Sequence, residues 1–100
     1  MSSRLNTERE YHIAQNYPNP FNSTTVFRYR LARPAHVTLT IYDVTGREVI
    51  RLVDQKQPAG NFKVVWNGKN RQKQTVASGL YFYKFEAGKR TVLKKCLLIK

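Results

Sequence analysis

The sequence predicts an all-β protein, a single immunoglobulin-like antiparallel β-sandwich of about seven strands. Apolar and polar residues alternate with period two along most of the chain, as in strands with one buried face. Gly, Pro, Asn and Asp punctuate that alternation about every 8–12 residues, the spacing of a sandwich. The 100 residues fit one domain, and no long stretch has helical period.

Each element follows in order. A short strand is expected near Tyr11 to Ala14, ahead of the kinked segment Asn16-Tyr-Pro-Asn-Pro-Phe21. Pro18 and Pro20 fix φ and hold Tyr17 and Asn19 extended, so Gln15 to Asn22 reads as a rigid lead-in plugging Tyr17 and Phe21 against the sandwich, with a preformed docking surface as the less favoured reading. In Thr25 to Leu31, Phe27, Tyr29 and Leu31 alternate with Arg28 and Arg30; in Val37 to Tyr42, Val37, Leu39 and Ile41 alternate with Thr38, Thr40 and Tyr42. His36 falls in the intervening turn. Asp43-Val-Thr-Gly46 is a tight turn, Gly46 being free to take positive φ.

The strand from Glu48 to Val53 is less regular, because Val49-Ile50 and Leu52-Val53 are apolar pairs. Gln57-Pro-Ala-Gly60 reverses the chain, and Asn61 to Trp66 puts Phe62, Val64 and Trp66 on one face. Asn67 to Ser78 is the long polar loop. Gly79 to Phe85 is an aromatic-rich strand that turns at Ala87-Gly88 into Arg90 to Ile99. Residues 1–12 are expected to be a flexible N-terminal extension and residues 13–100 the sandwich.

The composition excludes several classes of function. One cysteine, Cys96, permits no internal disulfide and no multi-cysteine zinc site. Adjacent strand residues diverge, so Lys95 does not activate the Cys96 thiol, which reads as a small core residue. His12 and His36 are too widely spaced for a ligand cluster, no glycine-rich phosphate loop occurs, and nothing pairs two acids across a cleft. The chain is expected to be no enzyme, with no cofactor, no metal and no small-molecule substrate.

Charge points to an anionic partner. The chain carries a formal net charge of +12: residues 1–50 hold six Arg against four acids, and residues 51–100 hold twelve basic residues against two acids. The candidates for a basic contact face are Lys69, Arg71, Lys73, Lys84, Lys89, Arg90 and Lys94, with Lys95, and Tyr81 to Tyr83 offer stacking surfaces. Sequence-independent nucleic-acid contact rests on charge alone. An anionic membrane surface or an acidic protein accounts for the excess equally well, and nucleic acid is the less favoured partner.

Gln15-Asn-Tyr-Pro-Asn-Pro-Phe-Asn22, with Thr25, Phe27, Tyr29 and Leu31, resembles the opening of the type A C-terminal sorting domain of type IX secretion. The likeness continues through Val37-Thr-Leu-Thr-Ile-Tyr-Asp43, Gly46-Arg47, Ala59-Gly60, Trp66-Asn-Gly68, Ala77-Ser-Gly-Leu-Tyr-Phe-Tyr83 and Lys95 to Lys100. The Ig-like domain of the flagellar hook-capping protein is similar in pattern. The resemblance implies a seven-stranded module recognised by outer-membrane translocation machinery of Bacteroidota-type bacteria. It implies recognition through Pro18-Asn19-Pro20, Gly79-Leu80-Tyr81 and the lysine-bearing last strand, Lys95 to Lys100.

The chain departs from that family at Asn67 and Asn70, where acids are usual, and at Lys73, where a turn glycine is frequent; the loop is expected to be reshaped and more basic. The reading is a non-catalytic protein-interaction module of sorting type. The alternative is a stand-alone basic accessory subunit docked on a membrane complex or a ribonucleoprotein. An exported precursor would place the module in the cell envelope or outside the cell. The absence of a signal peptide from Met1 to Glu10 would place a chain complete as written on the cytoplasmic side.

Overall fold

A computed structural model describes residues 10–100. The expected extension over residues 1–12 lies, for residues 1–9, outside the described residues, and Tyr11 and His12 belong to the first strand. The strands are β1 (Tyr11–Ile13), β2 (Thr25–Leu31), β3 (Ala35–Tyr42), β4 (Glu48–Gln57), β5 (Gly60–Trp66), β6 (Gly79–Ala87) and β7 (Arg90–Leu98). They form two antiparallel sheets, one ordered β1-β2-β5 and the other β4-β3-β6-β7. This is the expected immunoglobulin-like sandwich.

The core sits between the sheets and is built by the alternation read from the sequence. β2 contributes Phe27, Tyr29 and Leu31, β3 contributes Val37, Leu39 and Ile41, and β6 contributes Tyr81, Tyr83 and Phe85, all buried. Aromatic rings link the layers: Phe27 meets Tyr83 edge-on at 4.7 Å between centroids, and Trp66 meets Tyr81 at 5.4 Å. Each such ring contributes about 1.5–3 kcal/mol by burial, with the edge-on geometry adding to it. Cys96 is buried among them, as expected of a core residue. The β6–β7 turn needs a glycine, because Gly88 has a φ of +59° and a Cβ there would come within 3.2 Å of the Tyr11 hydroxyl.

The structure corrects four details. β3 begins at Ala35, so His36 lies in the strand rather than in a turn, its Nε2 2.7 Å from Asp54 Oδ1. β4 runs on to Gln57, whose buried side chain accepts a 2.6 Å hydrogen bond from the Tyr29 hydroxyl; a partnered polar group costs little to bury. The apolar pairs in β4 mark two bulges: the register passes from Leu39↔Val53 to Thr40↔Arg51, and from Ile41↔Ile50 to Tyr42↔Glu48. Thr40, expected to face solvent, is buried, since it lies between Arg51 and Lys84 in register and their long aliphatic stems flank it.

Candidate protein-docking site

The segment Gln15 to Asn22 lies along the outer edge of β7 and supplies partners to that strand's open backbone. The Asn19 side-chain Oδ1 accepts from the Leu97 N–H at 2.9 Å, and Gln15 Nε2 donates to the Lys95 carbonyl at 2.8 Å. The Phe21 N–H donates to the Leu97 carbonyl, and the Ile99 N–H donates to the Phe21 carbonyl. An edge strand left bare invites wrong pairing; here the proline segment covers the stretch from Lys95 to Ile99. Both X–Pro bonds, Tyr17–Pro18 and Asn19–Pro20, are cis.

A buried polar node holds this segment down. Asn16 is 2% exposed. Its Nδ2 donates to Thr25 Oγ1 at 2.9 Å and to the Pro18 carbonyl at 3.2 Å, and its Oδ1 accepts from Gln15 Nε2 at 2.6 Å. Its backbone N–H donates to the Tyr83 hydroxyl at 3.1 Å, and Thr25 Oγ1 donates to the Pro18 carbonyl at 2.8 Å. Phe21 plugs into the core against Trp66, with centroids 5.5 Å apart. Tyr17 does not: it is 72% exposed, because its antiparallel bridge to Val26 places it on the outward side of β2. Half of the expected plug is therefore surface.

The three segments singled out by resemblance meet at one end of the large sheet. Gly79 pairs with Leu98 and Leu80 with Leu97 across β6 and β7, while Asn19 bonds that same Leu97. The Lys100 N–H donates to Ser78 Oγ at 3.0 Å, and its ammonium donates to the Val76 carbonyl. Pro18, Asn19 and Pro20 are exposed, as is Lys95, which points away from the core beside inward Cys96. Leu80 lies on the outer face with Leu97. Tyr81 turns inward and donates its hydroxyl to the Ala77 carbonyl at 2.6 Å, so it holds the neighbouring backbone.

Outward from this end the β6–β7 face is apolar and cationic together. Phe82 stands between Tyr42 and Lys95 in register, and Lys84 between Thr40 and Leu93. Leu93 is 61% exposed, and Lys84 Nζ sits 5.5 Å from the centre of the Tyr42 ring. A shallow apolar hollow of about 230 Å³ lies between Tyr42, Val44, Phe82 and Leu93. Exposed leucines are framed there by lysines.

The basic candidates do not share one face. Lys84 and Lys95 lie on the outer face of the large sheet, whereas Arg90 and Lys94 lie on the opposite side of β7. Lys89 is in the β6–β7 turn, while Lys69, Arg71 and Lys73 are in the loop before β6, at the other end of that strand. The loop is ordered by Asn70, whose Oδ1 accepts from the Gln72 and Gln74 N–H groups. Lys73 there takes a φ of +68°, the left-handed conformation that glycine adopts without strain. The outward residues Arg28, Arg30 and Lys63 were not among the candidates, although the Arg28–Arg30 alternation was the signal that could have found them.

Among the described residues burial, not a charged neighbour, sets the largest shifts. Burial pushes the Cys96 thiol up to about 12 and the Tyr83 hydroxyl up to about 12, so neither ionises near neutrality. Among the described residues no three His, Cys, Asp or Glu side chains gather as metal ligands would.

Two solved structures from Porphyromonas gingivalis resemble the chain in fold. One is dimeric latent PorU, with a TM-score of 0.72 and 22% identity over 89% of this chain and 9% of that one. The other is PorZ, a bacterial surface component of the type IX secretion system, with a TM-score of 0.62 and 22% identity over 98% of this chain and 13% of that one. The chain thus spans about a tenth of the length of each. No curated protein matches it. The FlgD Ig-like domain model matches residues 17–91. That span takes in most of the proline segment, strands β2 to β6 and the start of β7, and the chain belongs to the FlgD Ig-like domain family.

Proposed function

We propose that this domain is a sorting-type module of type IX secretion, bound by the translocation machinery at the cell envelope. Its docking surface is the end of the large sheet where Pro18-Asn19-Pro20, Leu80 and the last strand meet. The observation that carries this reading is the convergence itself: Asn19, Leu80 and Leu97, far apart in sequence, are joined by one hydrogen bond and one cross-strand pair. The fold shared with a PorZ described as a type IX surface component supports it. Binding would combine leucine burial with lysine steering towards an acidic partner.

Fusion of residues 10–100 to a signal-bearing reporter in a type IX-competent cell tests the reading. The fused reporter should appear outside the cell. Deleting Lys95 to Lys100 would also strip Cys96 and Leu98 from the core, so the paired surface change Leu80→Thr, Leu97→Thr, which keeps strand propensity and adds no charge, is the sharper probe. It should leave melting nearly unchanged and strand the reporter in the periplasm. Undiminished export of a folded double variant would remove this face from the docking surface.

A further inference from the structure

The opposite face of the molecule, the outer side of the small sheet, is built differently. β2 presents Val26, Arg28 and Arg30 outward, β5 presents Asn61, Lys63 and Val65, and β1 presents His12. The register sets these side chains in rows. Tyr17 bridges to Val26, which pairs with Val65; Arg28 stands directly opposite Lys63; Arg30 lies between His12 and Asn61. Like charges directly opposite on a sheet destabilise it, so the Arg28–Lys63 pair works against folding unless a partner uses it.

No strand residue on this face is acidic, and every described acid is engaged elsewhere. Glu10 pairs with Arg33, Asp43 with Arg47, Glu48 with Arg51, and Asp54 with Arg51 and His36. Glu86 accepts from Thr38. A shallow cleft of about 520 Å³ runs over the middle of the sheet between His12, Arg28, Arg30 and Lys63.

We propose that this face seats the domain on a bilayer surface carrying anionic phosphate headgroups. Rows on one face are two residues apart along a strand, about 7 Å. An apolar row sunk to the acyl boundary therefore leaves the next row at phosphate level, given the roughly 5–10 Å depth of interfacial insertion. Tyr17 and Val65, both mostly exposed, form that lower row with Val26 at the end of the sheet. Arg28 and Lys63 form the row above it. Tyrosine suits the interface, with its ring in the apolar zone and its hydroxyl wet. A soluble polyanion would use the cations and leave Tyr17 and Val65 in water, which is why the bilayer is the better occupant.

Flotation of the full 100-residue chain with vesicles tests this, comparing phosphatidylcholine alone with phosphatidylcholine carrying about a third phosphatidylglycerol. Binding should require the anionic lipid. Each cation near such a surface contributes about fivefold, so Arg28→Gln with Lys63→Gln should weaken binding about 30-fold. Lys56→Gln with Lys89→Gln makes the same change in net charge on exposed residues elsewhere and should alter binding less than about threefold. Tyr17→Ser with Val65→Ser should also release the protein, with circular dichroism confirming that each variant is folded.

Equal weakening by the two glutamine pairs would reduce the effect to net charge and overturn the proposal. Serine variants that bind unchanged, with inorganic polyphosphate competing fully, would assign the face to a soluble polyanion and overturn it equally. The Leu80 and Leu97 substitutions lie on the other sheet, so failure of export and failure of vesicle binding are separable.

Discussion

Truncating Asn16 to alanine should destabilise the domain severely without touching its surface. The side chain makes three hydrogen bonds, to Thr25 Oγ1, the Pro18 carbonyl and Gln15 Nε2. Each contributes about 1 kcal/mol net, and the alanine leaves a small void in a buried site, so the expected loss is about 3 kcal/mol. For a domain of this size that lowers Tm by about 12–25 °C. Thr25→Val, nearly isosteric, removes the hydroxyl's bonds to Asn16 and Pro18 and should cost about 1–2 kcal/mol. The two residues share one bond, so the double variant should lose about 1 kcal/mol less than the sum of the single losses. Urea denaturation of the four proteins, compared at constant slope, reads all three quantities. An Asn16→Ala loss under about 1 kcal/mol, or strict additivity, would refute the view that this node holds the proline segment in place.

Three further outcomes are expected. Lys73→Gly should raise stability by about 0.5–1 kcal/mol in urea denaturation, because the left-handed φ of 68° at Lys73 costs a non-glycine residue about 1–2 kcal/mol and glycine's freedom in the unfolded chain takes back part of that; Lys73→Val should lower it. The Thr45 hydroxyl first, then the Arg47 and Thr45 N–H groups and the Arg47 guanidinium, hold the Asp43 carboxyl down at about 2. The folded value lies below the ordinary one, so this stabilisation is fully present above about pH 4 and is lost as pH falls through about 2; an NMR titration of Asp43 with a midpoint near 4 would contradict it. The Cys96 thiol, buried and raised to about 12, should resist a disulfide reagent at pH 8 in the native protein and react promptly in denaturant, and rapid native labelling would show that the site opens.

The strands were legible because each has one face in the core, and period two records that directly, as in Phe27, Tyr29 and Leu31. The irregular β4 was legible only as irregularity. Its apolar pairs signalled that something broke the alternation, but bulges belong to a pairing with β3 that no local window contains. Tyr17 and Phe21 looked alike beside their prolines, and only the bridge to Val26 sends one outward. The docking segments could be named by resemblance, yet their convergence depends on Asn19 reaching Leu97 across 78 positions. The basic face escaped notice for the same reason: Arg28 and Lys63 become neighbours only through the register of β2 and β5.

The bonds between the Gln15–Phe21 segment and β7 also bear on when the domain can fold. Gln15 and Lys95 are 80 positions apart, so this clasp closes a loop spanning nearly the whole sandwich, and contacts of such separation slow folding. During synthesis β1 to β6 emerge before β7, which carries the buried Cys96 and Leu98. Completion of the sandwich therefore waits for its last strand, and a partner that grips the clasp would distinguish closed sandwiches from open ones.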